Sequence, residues 1–343
     1  MSKIRVAING FGRIGRSFYR LAHEQDEIDI VALNDLGDIE NLAYLLKFDS
    51  AYGRSHFNVE VKNGNIKTDN DEAQVFSEKD PEKLPWKDLD IDVVVESTGF
   101  FTKYEDAEKH RKAGAKRVVI SAPAKSDPQG EQHQTILMGV NDDKLDVCSV
   151  SSNASCTTNA GSPVITIMKE TFGIEKAMLN TIHGYTATQK IVDGPSKDHR
   201  KGRAAAVNMI PTSTGAAIAT TKAIPDLEGK FDGISVRVPV IVGSIADITF
   251  ISSKNTTVEE VNAALKKAST EERWQGIFGV TEEDVVSSDM IGNTHASVAD
   301  LQMTRVIGGN LVKVLSWYDN ETGYTNALMK HVIETGKHAQ NGK

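Results

Sequence analysis

Residues 3–15 read Lys3-Ile4-Arg5-Val6-Ala7-Ile8-Asn9-Gly10-Phe11-Gly12-Arg13-Ile14-Gly15. Lys3 to Asn9 is a short buried-strand pattern. It runs directly into G-x-G-x-x-G, and a helical pattern continues to about His23. Gly10 makes the turn, Gly12 lets backbone approach a pyrophosphate, and Gly15 lets the helix pack on the strand. The helix start then offers unbonded N–H groups and a partial positive charge to phosphates. Ile28 to Asn34 is a second strand, and Asp35 stands at its end, twenty positions beyond Gly15. In that context the glycine pattern reads as a dinucleotide fingerprint. A carboxylate at Asp35 accepts bonds from a ribose diol and repels a 2′-phosphate. NAD is therefore expected over NADP.

Working outward, Asp38 to Lys47 has helical spacing with Asp38 as N-cap. Strand, helix and strand in so short a span make a βαβ unit. Lys62-Asn63-Gly64-Asn65 separates Phe57–Val61 from Ile66–Thr68, a hairpin signal because Asn-Gly supplies positive φ. Asp92–Glu96, Arg117–Ala122, Ile136–Val140 and Val147–Ser151 read as further strands, with a helix over Thr102–Ala113. The alternation predicts an α/β protein with a doubly wound, mostly parallel sheet. After Ser152 the texture changes. A helix over Thr157–Phe172 precedes long alternating strands at Ala177–His183, Gly233–Pro239 and Ser244–Ser252. Thr257–Ala268 is an amphipathic helix capped by Thr256 or Thr257. These predict an α+β domain with a mostly antiparallel sheet. The expected domains are 1–152 and 153–319, with a terminal helix from Asn320 packing back onto the first.

The chain has 343 residues, 39% apolar and 25% charged, with a net charge of -8. That fits a soluble two-domain protein. The negative balance argues against nucleic-acid partners. No apolar run approaches membrane-spanning length, and Met1-Ser2-Lys3-Ile4-Arg5 leads straight into a strand, so neither a membrane span nor a signal peptide is expected. Two cysteines, Cys148 and Cys156, make no disulfide framework and suit a reducing cytoplasm. No Cys/His spacing suggests a metal site.

Cys156 lies in Ser151-Ser152-Asn153-Ala154-Ser155-Cys156-Thr157-Thr158-Asn159, between an apolar strand and a helix. A thiol at a helix start is favoured as thiolate, its reactive form. Cys148, inside a strand pattern, reads as a packing residue. His183 ends a strand before Gly184-Tyr185-Thr186-Ala187-Thr188, where an imidazole can reach a neighbouring helix start and serve as base. Arg237 sits between Val236 and Val238, where a charge needs a partner.

These residues resemble the phosphorylating glyceraldehyde-3-phosphate dehydrogenase family. The matches include residues 8–16, Ser97-Thr98-Gly99 and Ser155 to Asn159. Later come His183 with Thr186 to Lys190, Asp193 to Ser196, Pro211 to Ala217, Arg237-Val238-Pro239, and Trp317 to Tyr324. The ordered set spans nearly the whole chain. It implies a Rossmann NAD domain and a catalytic domain. It implies that Cys156 attacks the aldehyde, that His183 activates the thiol, and that the Cys156 N–H helps hold the oxyanion. Gly10, Gly12, Arg13, Ile14, Gly15, Asp35, Lys79 and Ser121 would contact NAD, and Asn320 its nicotinamide carboxamide. Thr186, Arg237 and Thr188 would hold the C3 phosphate of glyceraldehyde 3-phosphate. Ser155, Thr157, Thr214 and Gly215 would hold inorganic phosphate, with Arg200 nearby. A cytoplasmic homotetramer is implied, with the loop from Thr186 to Asn208 between subunits.

Three departures stand out. Ala160 replaces a second cysteine four positions after Cys156. Lys79 stands where Arg is common. Val240-Ile241-Val242-Gly243-Ser244 replaces Thr-x-Asn-Val-Ser, which puts polar support there in question. Rival readings are an erythrose-4-phosphate dehydrogenase that hydrolyses its thioester, and a non-catalytic binding protein on the same scaffold. The Thr214-Gly215-Ala216-Ala217 segment favours phosphate as acceptor. The presence of Cys156 and His183 favours an enzyme.

Overall fold

A computed structural model describes residues 2–69 and 71–342. The chain divides into two compact units, Met1–Ala154 with Leu328–Lys343, and Ser155–Ala327.

The first unit is built on a nine-stranded sheet. Across it the strands run His133–Thr135, Val150–Ser152, Arg117–Ile120, Val93–Glu96, Ile4–Asn9, Ile28–Asn34, Glu72–Phe76, Asn65–Lys67 and Glu60–Lys62. The first seven pair in parallel, and the last two add an antiparallel hairpin at the edge. Ile4–Asn9 is central and almost wholly buried, because both faces of a parallel sheet are covered. Lys62 pairs with Asn65, so the hairpin turns on Asn63 and Gly64, both at positive φ. Asp38 caps the helix Ile39–Lys47 by accepting from the Asn41 N–H at 3.0 Å. Leu328, Met329, Val332 and Ile333, on the terminal helix Thr322–Gln340, join Ile4, Val6, Ile8 and Phe11 in one apolar core.

The expected strand at Ile136–Val140 is not one. The strand is His133–Thr135, and the apolar residues after it fill a buried turn held by Asn141, whose side chain bonds the Leu137 N–H and the Thr135 carbonyl, each at 2.8 Å. A short apolar run signals burial, and a side-chain-braced turn buries residues as well as a ladder does.

The second unit carries a seven-stranded sheet in the order Ile210–Ser213, Phe231–Val238, Ile174–Gly184, Ser244–Ser252, Leu311–Tyr318, Ser297–Ile307 and Phe278–Thr281. Four of its six pairings are antiparallel. Burial alternates strictly along Ser244–Ser252, so one face is covered by helices. The sequence pattern omits four of these strands and the helix Ala216–Ala223. Buried polar groups broke the alternation. The Ser297 and Ser316 hydroxyls bond each other at 2.7 Å, and Asp300 accepts from the Trp317 indole at 3.0 Å.

Candidate active site

In the first unit, register gathers the expected dinucleotide residues. Asn9 is level with Glu96 and with Asn34, and Glu96 is level with Ile120. Gly10, Asp35, Ser97-Thr98 and Ser121 therefore all leave the same carboxyl edge of the parallel sheet, the edge where such sheets bind ligands. Gly10 has φ +94, and a Cβ there would lie 2.5 Å from the Thr98 nitrogen; one on Gly15 would lie 2.2 Å from the Gly10 oxygen. A Cβ on Gly12 would meet nothing within 4 Å. The turn is thus closed behind and open in front. Gly12 caps the helix Arg13–Ala22 without a side-chain bond, so that helix start has room to receive an anion.

Asp35 accepts from the Phe11 N–H at 2.7 Å and the Gly37 N–H at 2.8 Å, one on each carboxylate oxygen. This fixes its orientation and leaves further lone pairs on both oxygens. The Arg13 guanidinium is engaged by Asp49 at 2.9 Å, so the backbone of Arg13 and Ile14 is what faces the turn. Lys79 is exposed just beyond the strand Glu72–Phe76. Beneath the turn lies a buried network that sequence reading did not pick out. The Trp86 indole donates to His110 Nδ1 at 2.9 Å, and His110 Nε2 meets Glu96 at 3.0 Å. Glu96 also accepts from Asn9 at 2.6 Å and from the Thr98 N–H at 2.8 Å. The only sequence signal was a carboxylate closing an otherwise apolar strand, Val93–Glu96.

In the second unit, Cys156 opens the helix Cys156–Phe172. Ser155 is its N-cap and accepts from the Thr158 N–H at 3.0 Å, while its carbonyl accepts from the Asn159 side chain at 3.0 Å. His183 and Arg237 are level on adjacent parallel strands, so their side chains leave the same face. The Cys156 sulfur lies 3.3 Å from His183 Nε2. His183 Nδ1 lies 2.6 Å from the Gly184 carbonyl. In the tautomer that donates from Nδ1 to that carbonyl, the Nε2 lone pair faces the thiol. Arg237 Nη1 lies 2.7 Å from the same Nδ1 and donates to the Gly184 carbonyl at 3.2 Å. Among the described residues no carboxylate pairs with Arg237, which leaves its charge available for an anion.

Electrostatics hold this pair neutral. Burial, then the Arg237 charge, push His183 down to about 3, against the Gly184 bond. Burial also pushes the Cys156 thiol up, opposed by Arg237 and by bonds from Thr157. The helix start therefore does not dominate, as sequence position had suggested. Desolvation by surrounding side chains outweighs it, although Cys156 keeps a partly open face. Cys148 differs. It is buried, its thiol is pushed up to about 12 by that burial, and it packs against the Glu131 carbonyl.

The other anion-ligand candidates are only partly assembled. Thr186 and Thr188 bring their hydroxyls within 2.9 Å. Thr214 accepts from the Ala216 N–H at 3.2 Å, and Gly215 caps the helix Ala216–Ala223. Arg200 is exposed on a loop braced by Asp198, and among the described residues no side-chain bond ties it to the Cys156 group. Asn320 is not a helix cap. Asp319 takes that role, accepting from the Glu321 N–H at 2.9 Å and the Thr322 N–H at 2.8 Å. The Asn320 amide oxygen accepts from the Ser244 hydroxyl at 2.8 Å and the Gly243 N–H at 3.2 Å, which fixes the orientation of the amide. Ser244 in turn accepts from the Gly184 N–H at 3.2 Å. The altered Val240–Gly243 stretch thus serves through backbone: the Val240 carbonyl accepts from Tyr185 at 3.1 Å, and Gly243 supports Asn320. Ser244 and Tyr318 are supporting residues that local pattern did not reveal.

Residues 4–104 match the family model for the glyceraldehyde 3-phosphate dehydrogenase NAD binding domain, and residues 155–320 match that for its C-terminal domain. The chain is 50% identical over 336 residues to glyceraldehyde-3-phosphate dehydrogenase 2 of Streptomyces avermitilis, covering 97% of this chain and 98% of that one. It is 49% identical over 332 residues to the Clostridium pasteurianum glyceraldehyde-3-phosphate dehydrogenase, covering 95% and 96%. It is 49% identical over 328 residues to that of Geobacillus stearothermophilus, also covering 95% and 96%. With both domain models matched in order and half the positions shared over nearly the full length, the chain belongs to the glyceraldehyde-3-phosphate dehydrogenase family.

Proposed function

We propose that this protein oxidises glyceraldehyde 3-phosphate, with NAD and inorganic phosphate, to 1,3-bisphosphoglycerate in glycolysis. The observation that carries the chemistry is the 3.3 Å approach of the Cys156 sulfur to His183 Nε2, with Arg237 behind the imidazole. Cys156 adds to the aldehyde carbon while His183 Nε2 takes the thiol proton, and the Cys156 N–H at the helix start steadies the oxyanion. His183 returns that proton to the hemithioacetal oxygen and takes it back as the thioester forms. Phosphate attack on the thioester carbon releases Cys156 and yields the acyl phosphate. The substrate's own phosphate at Arg237, with Thr186 and Thr188, would offset the charge that depresses His183. Ser155, Thr157, Thr214 and Gly215, with Arg200, are proposed for the attacking phosphate.

The residues present fit NAD. Gly10, Gly12, Arg13, Ile14 and Gly15 offer backbone to the pyrophosphate, and Asp35 offers lone pairs to the ribose. Lys79 and Ser121 would contact the dinucleotide, and the Asn320 NH₂ would bind its nicotinamide carboxamide. When bound, NAD supplies the hydride acceptor.

We further read the protein as a cytoplasmic homotetramer. Among the described residues no helix is long and apolar enough to cross a membrane. The expected intersubunit loop exposes Ile191 at 87%, Val192 at 73% and Val207 at 76%, an apolar surface that a partner copy would cover. Light scattering that reports a monomer overturns the tetramer. For the reaction, NADH formation is followed with glyceraldehyde 3-phosphate, erythrose 4-phosphate and glyceraldehyde, each with and without phosphate. Phosphate-dependent turnover of the first is expected. Phosphate-independent turnover of erythrose 4-phosphate rejects the reading.

A further inference from the structure

Tyr318 ends the strand Leu311–Tyr318 and is 1% exposed. Its hydroxyl lies 2.7 Å from the Thr181 hydroxyl and 3.0 Å from the Thr157 hydroxyl. Its ring meets the His183 imidazole edge-on, with centroids 6.0 Å apart and an interplanar angle of 75°. One side chain therefore touches the residue after the nucleophile, the residue two before the base, and the base itself.

The protons in this group can be counted. Thr157 follows Cys156 at the helix start, and its hydroxyl is among the groups that hold the Cys156 thiol down against its burial. A hydroxyl has one proton. If Thr157 gives that proton to sulfur, its oxygen must accept from Tyr318, and the Tyr318 oxygen then accepts from Thr181. The donors align as Thr181 to Tyr318 to Thr157 to Cys156, and aligned hydroxyls polarise one another toward the negative end. Burial and the facing sulfur push the Tyr318 phenol up, so it stays protonated. Ser235 is level with both Thr181 and Thr212, and the Ser235 and Thr212 hydroxyls are buried without a hydrogen-bond partner. The polar row thus continues across the covered face of the sheet.

We propose that Tyr318 is a positioning residue for the nucleophile: its hydroxyl aims the Thr157 O–H at the Cys156 sulfur, and its ring edge holds the His183 imidazole. This rests on the reading of Cys156 as nucleophile. It makes Tyr318 a control on how readily Cys156 loses its proton, whereas a merely packed tyrosine would affect stability alone.

The test is the pH dependence of Cys156 alkylation by iodoacetamide, without substrate or NAD, alongside thermal unfolding and NAD binding. Tyr318→Phe keeps the ring and removes the O–H. Its apparent thiol pKa should rise by about one unit and its alkylation rate at neutral pH fall about tenfold, with NAD affinity unchanged. Thr181→Val removes only the donor to Tyr318 and should shift the profile in the same direction by less. An unchanged profile in folded Tyr318→Phe overturns the proposal. If that variant does not fold, an unchanged profile in Thr181→Val does so. Peptide mapping separates the two readings: wild-type label absent from Cys156 defeats the nucleophile assignment, whereas label on Cys156 with an unmoved profile defeats Tyr318 alone.

Discussion

The turn around Gly10 and the group around Cys156 are built in opposite ways. The turn draws its principal residues from positions 10 to 35, joined by one strand, one helix and a second strand. The proposed nucleophile group draws on Cys156, His183, Arg237 and Tyr318, from one helix start and three strands. The turn works through backbone N–H groups and the absence of side chains. The nucleophile group works through side chains whose spacing only the sheet register sets. A contiguous site depends on local conformation and tolerates distant change. An assembled site is exposed to every residue that fixes its register.

Substitution tests that contrast. Cys156→Ser should lose acyl-phosphate formation by about 10⁴-fold or more, while NAD binding, measured by fluorescence quenching, stays intact. Loss of both would show that the two sites are not independent. His183→Asn should lower kcat by about 10²- to 10⁴-fold, the range for removing a general base. The wild-type protein sharpens this point. With His183 held near 3, its imidazole is neutral throughout pH 5–8. The alkylation rate should therefore rise with thiol ionisation and show no step near 6.5. A step there would mean that burial depresses His183 less than the geometry implies.

Asp35→Ala should cost less, reducing the preference for NAD over NADP by about ten- to hundredfold as one charged contact is removed. Measured Kd values for the two dinucleotides check it, and an unmoved ratio would take Asp35 out of ribose recognition.

The smallest effect concerns stability in the first unit. His331 is fully buried, lies 2.8 Å from the Ser151 hydroxyl and 3.0 Å from the Asn153 amide oxygen, and is pushed down to about 3 by burial. Its unfolded value is about 6.5. Between those values the unfolded chain binds more protons, so stability is full above about 6.5 and falls as pH drops toward 3. His183 acts with the same sign in the second unit. His331→Leu should lower Tm at pH 7 by a few degrees, since its bonds to Ser151 and Asn153 are removed. Its further drop between pH 7 and pH 5 should be smaller than that of the wild type. Equal drops would mean that His331 does not carry the acid sensitivity.

The same contrast explains which parts were legible. Gly10, Gly12, Gly15, Asp35, the Asp38 cap and the Asn63-Gly64 hairpin all act over a few residues, so spacing reveals them. Cys156 was legible as a thiol at a helix start, but its acidity was not, because that depends on what packs around the sulfur. The strand at Ser297–Ile307 escaped because Ser297 and Asp300 occupy covered positions that look unsuited to a core. They are satisfied there by Ser316 and Trp317. The buried Glu96–His110 pair escaped for the same reason.

The sequence by itself determined the two kinds of sheet, the glycine turn and the placing of one thiol at a helix start, since these follow from local periodicity, glycine placement and residue chemistry. Only the tertiary structure decided that His183 and Arg237 are level on neighbouring strands. It alone decided that Asp319 rather than Asn320 caps the terminal helix, and that Tyr318 joins Thr157 to Thr181. The physical reason is that strand register and burial depend on every strand of the sheet at once. Hydrogen-bond direction, charge state and reach at the nucleophile depend on them in turn.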